Sequence, residues 1–289
     1  MKRIASLLVV LCGILASARA QLEVGLEMKR HIFLRGEPIE VTVTIRNLAG
    51  KDVILRDVDN HQWFGFEIMK GEDTPVGALS ADYKNDPLVI LAGDTVRHKV
   101  DLLKLYPLAE FGGYKISTAI YFAETKKYLT SDAMKLDISD GRKMWTRTVG
   151  VPASKEGAGG YRVMTLLAFQ QKAENTLYAR VEDEATGNIY GAYPLGRLVG
   201  GSTPTAEFDA DNTLHVFHLV GPSQYHLSKI GVNGEWLGQT MWHSEKGRAA
   251  VRRKSDGRMV VVGATRTSDK PVAGPEVPRL SDRPVALPK

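Results

Sequence analysis

Cysteine is nearly missing from this chain: Cys12 is the single thiol in 289 residues, and it falls inside an N-terminal stretch with the form of a secretion signal. Lys2 and Arg3 make a basic start, Ile4 to Leu15 is an apolar run too short to cross a bilayer, and Ala18-Arg19-Ala20 has the small-x-small pattern that a signal peptidase cuts. The expectation is an exported bacterial chain, periplasmic or extracellular, cleaved after Ala20. Leu11 stands where a lipoprotein signal carries a small residue, which argues against a lipid anchor. Without Cys12 the mature chain has no thiolate nucleophile, no disulfide and no thiolate ligand for zinc.

Other absences narrow the reading further. No second apolar run is long enough for a membrane helix, so a soluble chain is expected. The formal net charge of +5 falls to +2 when Lys2, Arg3 and Arg19 leave with the leader, which weakens any nucleic-acid signature. H-E-x-x-H, G-x-S-x-G, a P-loop and a strand-linked G-x-G-x-x-G are all absent. The glycine-rich "EGAGG" from Glu156 is followed by a strand pattern at Tyr161 instead of a helix that could face a phosphate, and it reads as a loop. No cofactor is implied.

What is present is β pattern. With 43% hydrophobic residues the chain can bury two ordinary cores, and the composition divides it into a leader at 1–20, a first domain at 21–140, a second at 141–268 and a tail at 269–289. Val41, Val43 and Ile45 alternate with Glu40, Thr42 and Thr44, the mark of a half-buried antiparallel strand. Similar runs begin at Val53, Trp63, Pro87, Thr95, Tyr114 and Ala133. About seven short strands and no amphipathic helix predict an all-β first domain, an antiparallel β-sandwich.

Leu108-x-Glu110-x-Gly112-x-Tyr114 resembles the tyrosine corner of immunoglobulin-like and fibronectin-like domains. The resemblance implies that the Tyr114 hydroxyl bonds the backbone across the corner, with Gly112 as a structural partner. Glu110 stands where aspartate is commoner. The order "LRGEPIEVTVTIRN", corner, "YKISTAIYF" is also similar to bacterial BsuPI-type, proteinase-inhibitor-like modules. That likeness implies an inhibitory loop, for which Asp57 to Trp63 and Asp82 to Asp86 are the candidates.

In the second domain "ENTLYARV" at Glu174 is echoed by "DNTLHVFH" at Asp211, an interval of 37 residues from Asn175 to Asn212. Asparagine suits a turn because it tolerates positive φ and bonds its own backbone. Strand, turn, strand units of this length resemble β-propeller blades, and "SDGRMVVVGATR" from Ser255 makes a partial third copy. A repeat-containing antiparallel domain is expected, either propeller-like or a curled sheet.

His215 and His218, three apart on a strand, point to opposite faces and cannot share a metal. His226 and His243 could approach one of them through the fold, but no metal is assigned. "DADN" at Asp209 lacks the rest of a calcium loop and reads as a turn. Glu182, Asp183 and Glu184 are the acids available to a glycosidase, although such runs usually end hairpins. Trp236, Trp242, Tyr225 and His226 form the candidate binding set, since tryptophan can stack on sugars or anchor a protein, the alternative being that both tryptophans fill the core. Prolines at 271, 275, 278, 284 and 288 suit an extended tail. The reading is a non-enzymatic binding or scaffold protein with a protein or glycan partner and no nucleic acid; protease inhibition and glycan hydrolysis are the alternatives.

Overall fold

The computed structural model describes residues 22–80, 84–171, 174–245 and 249–267. The leader, the proline-rich tail and part of the Asp82 to Asp86 loop lie outside them. In chain order the strands are β1 Leu22–Met28, β2 Ile32–Leu34, β3 Glu40–Asn47, β4 Val53–Leu55, β5 Phe64–Lys70, β6 Thr74–Pro75, β7 Leu88–Ile90, β8 Thr95–Asp101, β9 Gly112–Phe122, β10 Lys127–Thr130 and β11 Met134–Ser139, with a 3₁₀ turn at Leu102–Lys104. The second unit continues with β12 Arg142–Gly150, β13 Tyr161–Gln171, β14 Glu174–Asp183, β15 Ile189–Arg197, β16 Thr205–Phe208, β17 Leu214–Gly221, β18 Gln224–Ile230, β19 Trp236–His243, β20 Ala250–Arg253, β21 Met259–Val262 and β22 Thr265–Arg266. The chain is all-β and almost wholly antiparallel.

The first unit is two-layered. Sheet β1-β3-β8 faces sheet β2-β11-β9-β5-β6, with β10 beside β9 and the pair β4-β7 at the side. Val41, Val43 and Ile45 point inward as their alternation requires, and meet Trp63, Phe64, Ile68, Ile116 and Ile120 in one core. The structure adds strands to the seven expected, among them β1, which runs in register with β3 from Leu22↔Asn47 to Met28↔Val41. One pairing departs from the antiparallel expectation: β2 joins β11 in parallel, from Ile32↔Asp137 to Leu34↔Ser139.

The second unit stacks sheet β12-β13-β14-β15 on sheet β16-β17-β18-β19-β22, and hairpin β20-β21 covers the far side of the latter. Met164, Leu166, Leu177, Ala179 and Val181 meet Leu214, Val216 and Ile230 between the sheets. The 37-residue echo does not mark the sheet repeat. It lays β14, third in its sheet, on β17, second in the next, because both strands present a buried leucine, Leu177 or Leu214, after their N-T pair. Asn212 does sit in a turn, at φ 56°, whereas Asn175 lies within β14 opposite Gln170. The ladder therefore claims Asn175, which is not a turn residue.

β14 is buried on both faces, which fixes how the two units join. Its odd residues Leu177, Ala179 and Val181 enter the core between the sheets, and its even residues Tyr178, Arg180 and Glu182 face the sandwich. Tyr178 packs with Leu167, Phe169, Ala192 and Leu34 of β2. Its hydroxyl accepts a bond from Arg30 (3.2 Å), whose other nitrogen pairs with the buried Glu37 (2.9 Å). Arg35 reaches Glu182 at 2.5 Å, and Arg180 forms an ion pair with Glu182 (3.0 Å) while donating a hydrogen bond to Asp140 (2.8 Å). Gly36, at φ 86°, leaves room for nothing larger: a Cβ there would lie 2.6 Å from the Ile189 side chain.

Candidate functional site

The four aromatic and imidazole residues expected to form one surface are dispersed. Trp236 and Trp242 share β19 and, six apart, would share a face on a regular strand. A bulge intervenes: the register steps from Lys229↔Gly238 to Ile230↔Trp236, leaving Leu237 unpaired and exposed. Trp236 therefore packs on the inter-sheet core beside Tyr193 (5.4 Å between rings), and Trp242 packs under the β20-β21 hairpin. Tyr225 is buried and stacked on Phe217 at 4.9 Å. His226 faces the other way, its Nδ1 3.1 Å from the Leu195 carbonyl.

Two of the three acids considered for hydrolysis are engaged in the scaffold. Glu182 bonds Arg35 and Arg180, while Asp183 bonds Arg162 (2.7 Å) and accepts from the backbone amides of Ala185 and Thr186. Those bonds and Arg162 hold the Asp183 carboxyl below its ordinary range, the Thr186 contacts contributing most. Glu184 is exposed at the hairpin end. Asp209 caps its own turn through the amides of Asp211 and Thr213 and bonds His215 Nε2 at 2.9 Å. Among the described residues no three His, Cys, Asp or Glu side chains gather around a point that could hold a metal.

The segment from Asp57 to Trp63 is a closed hairpin. Val58 and His61 exchange both backbone bonds (3.1 and 2.9 Å), turning the chain at Asp59, which takes φ 53°. Asp57 braces it from below, accepting from the amides of Trp63 (2.8 Å) and Asn85 (3.0 Å). The buried Trp63 donates its indole N–H to Asp86 O at 3.0 Å.

This hairpin carries His61 onto the outer face of the sandwich, where it completes an aromatic cluster. The His61 ring stacks on Tyr121 (4.3 Å, 14°), Tyr128 lies 5.0 Å from Tyr121, and Tyr128 Oη is 3.1 Å from His61 Nδ1. Tyr121 and Tyr128 are direct partners across the β9-β10 hairpin. Tyr128 is 48% exposed, a large apolar face held toward solvent. Burial, and then its neighbour Tyr121, pushes the Tyr128 phenol pKa up, so it stays a neutral hydrogen-bonding group. The sequence carried a signal for this pair: the Glu124-Thr125-Lys126-Lys127 polar turn between two aromatic strands sets Tyr121 opposite Tyr128. His61 joins only through the tertiary fold.

A second concave feature lies at the tyrosine corner. Tyr114 Oη donates to Glu110 O at 2.8 Å, the bond the corner motif implies. Around it Gly71, Val76, Gly77, Pro107 and Gly113 line a cleft of about 610 Å³. The Lys70–Glu110 ion pair spans its wall.

No protein-family model matches the chain, and no curated protein matches its sequence. Among solved structures, that of Spo0M, a sporulation control protein from Bacillus subtilis, aligns over 86% of this chain and 91% of its own at 9% identity. The TM-score of 0.28 is too low for that likeness to carry any argument.

Proposed function

We propose that the protein is a non-enzymatic binding or scaffold protein, exported to the envelope or beyond, which engages a protein or glycan through the outer face of its first unit. The observation that supports this reading is the His61–Tyr121–Tyr128 cluster, whose rings are fixed by one another while Tyr128 stays half-exposed. Rigid aromatic surface loses little conformational entropy on contact, so a preformed ring cluster favours capture. The second unit then acts as support. It is joined to the sandwich by paired charges, and two of the three candidate hydrolytic acids, Glu182 and Asp183, are held by arginines. An inhibitory loop would enter a protease in extended form, whereas the 57–63 segment is turned back by the Val58–His61 bonds.

The test is saturable binding of the full mature chain to arrayed glycans and to exported proteins, repeated with Tyr128→Ala and His61→Ala. These variants should weaken capture at least tenfold without lowering the melting temperature. Capture that is indifferent to both substitutions would remove the cluster from the reading, and stoichiometric loss of a protease's activity would replace the reading with inhibition.

A further inference from the structure

The register of the second unit aligns three metal-binding side chains that lie far from the aromatic cluster. His218 of β17 is the direct partner of His226 of β18, and His226 is the direct partner of Met241 of β19. Direct partners in adjacent strands share a face, with Cβ atoms about 4.5–5.5 Å apart. The row His218-His226-Met241 thus lies on one face of its sheet, opposite to the face where Phe217, Tyr225 and Trp242 pack under the hairpin. The two imidazoles stand edge to face at 5.8 Å.

Each histidine presents nitrogen in a form suited to ligation. His226 Nδ1 lies 3.1 Å from the Leu195 carbonyl, which can only accept, so Nδ1 is the donor and Nε2 is the nitrogen left to face a ligand. Gln239 donates to the same carbonyl at 2.8 Å and to Ser228 Oγ at 2.8 Å, fixing that second layer of contacts. His218 is 1% exposed, and neither of its ring nitrogens has a hydrogen-bond partner in the protein. His226 and Met241 are half-buried, which leaves the row open from the Met241 side.

We propose that His218, His226 and Met241 form a site for a soft monovalent metal ion, copper(I) being the one its chemistry selects. Two imidazoles and a thioether suit copper(I), whereas zinc asks for four ligands and hard cations for oxygen. With no third His, Cys, Asp or Glu gathered at the row among the described residues, the thioether is the third donor, and it is the one that discriminates. His243 stands one row further, opposite Gln224, outside the set. The site is independent of the aromatic cluster and of what that cluster binds.

The experiment is an anaerobic titration of the full mature chain with copper(I) against a chromophoric chelator, with zinc(II) titrated in parallel. One copper(I) per chain is expected. Met241→Leu should weaken copper(I) at least tenfold, and His226→Gln should abolish stoichiometric uptake, each with an unchanged near-UV circular dichroism spectrum. Should a variant misfold, silver(I) added to the wild-type chain should shift the imidazole nitrogen resonances of His218 and His226 in NMR. Failure to bind one copper(I), uptake unchanged in folded His226→Gln, or silver(I) without effect on those resonances would each overturn the site.

Discussion

Arg35 and Glu182, 147 residues apart, meet at 2.5 Å across the junction of the two units. Glu182 also holds Arg180, whose side chain is 3% exposed and which in turn holds Asp140 at the linker. Two carboxylates, Glu182 and Asp140, thus balance two arginines, with Glu182 shared between them. Glu182→Ala should lower stability by about 3 kcal/mol, since it leaves the buried Arg180 guanidinium with Asp140 alone and takes the partner of Arg35 away. Urea unfolding measures this; a loss under about 1 kcal/mol would show that the junction rests on its apolar contacts instead.

Gly36 meets Ile189 across the same junction, and here the constraint is both steric and conformational. Gly36→Ala must adopt φ 86° and place a methyl 2.6 Å from Ile189 Cγ2. The expected cost is about 2 kcal/mol or more. Ile189→Ala in the same chain relieves the overlap and leaves the φ penalty, so the two substitutions should be less destabilising together than their sum. Strict additivity in a double-mutant cycle would show that the close approach is absent in solution.

The first unit was largely legible in the sequence because its strands are buried on one face. Alternation from Glu40 to Ile45 gave β3 its face, and the corner motif gave Tyr114 its bond. The second unit was less so, for three physical reasons. β14 is buried on both faces, so period two distinguishes a core side from a junction side and not inside from outside. The bulge at Leu237 reverses Trp236 relative to Trp242, and the single hint of it in "WLGQTMW" is Gly238, at φ 111°. The echo of Asn175 in Asn212 reflects like strands in unlike positions of two sheets. Of the aromatic cluster, Tyr121 and Tyr128 could be paired from the hairpin between them, but His61 arrives from a turn more than fifty residues away.

Tyr114 and Glu110 give a smaller, cleaner test. Tyr114→Phe removes one hydroxyl whose partner, the Glu110 carbonyl at 2.8 Å, is left without it, and keeps the ring in the core. A loss of about 1 kcal/mol is expected, with no change in the aromatic cluster's binding. A loss near zero would mean that water replaces the bond, which the neighbouring cleft makes room for.

His218 should make the fold acid-sensitive in a defined window. Its folded pKa is depressed from 6.5 to about 3, first by burial and then by His226. The unfolded chain therefore takes up a proton near pH 6.5 that the folded chain refuses. The stability His218 contributes is complete above pH 6.5 and is lost as pH falls toward 3, at up to about 1.4 kcal/mol per pH unit. Glu37 and Asp101, whose pKa values burial raises, work in the opposite sense. They are common to wild type and variant, so the difference between the two isolates the histidine. Urea unfolding at pH 7, 6 and 5, with a chelator present to keep the imidazoles free of metal, should show wild type losing stability faster than His218→Gln. Parallel pH profiles would mean that the ring gains water or a proton in the native state, and that the row it shares with His226 and Met241 is open to solvent.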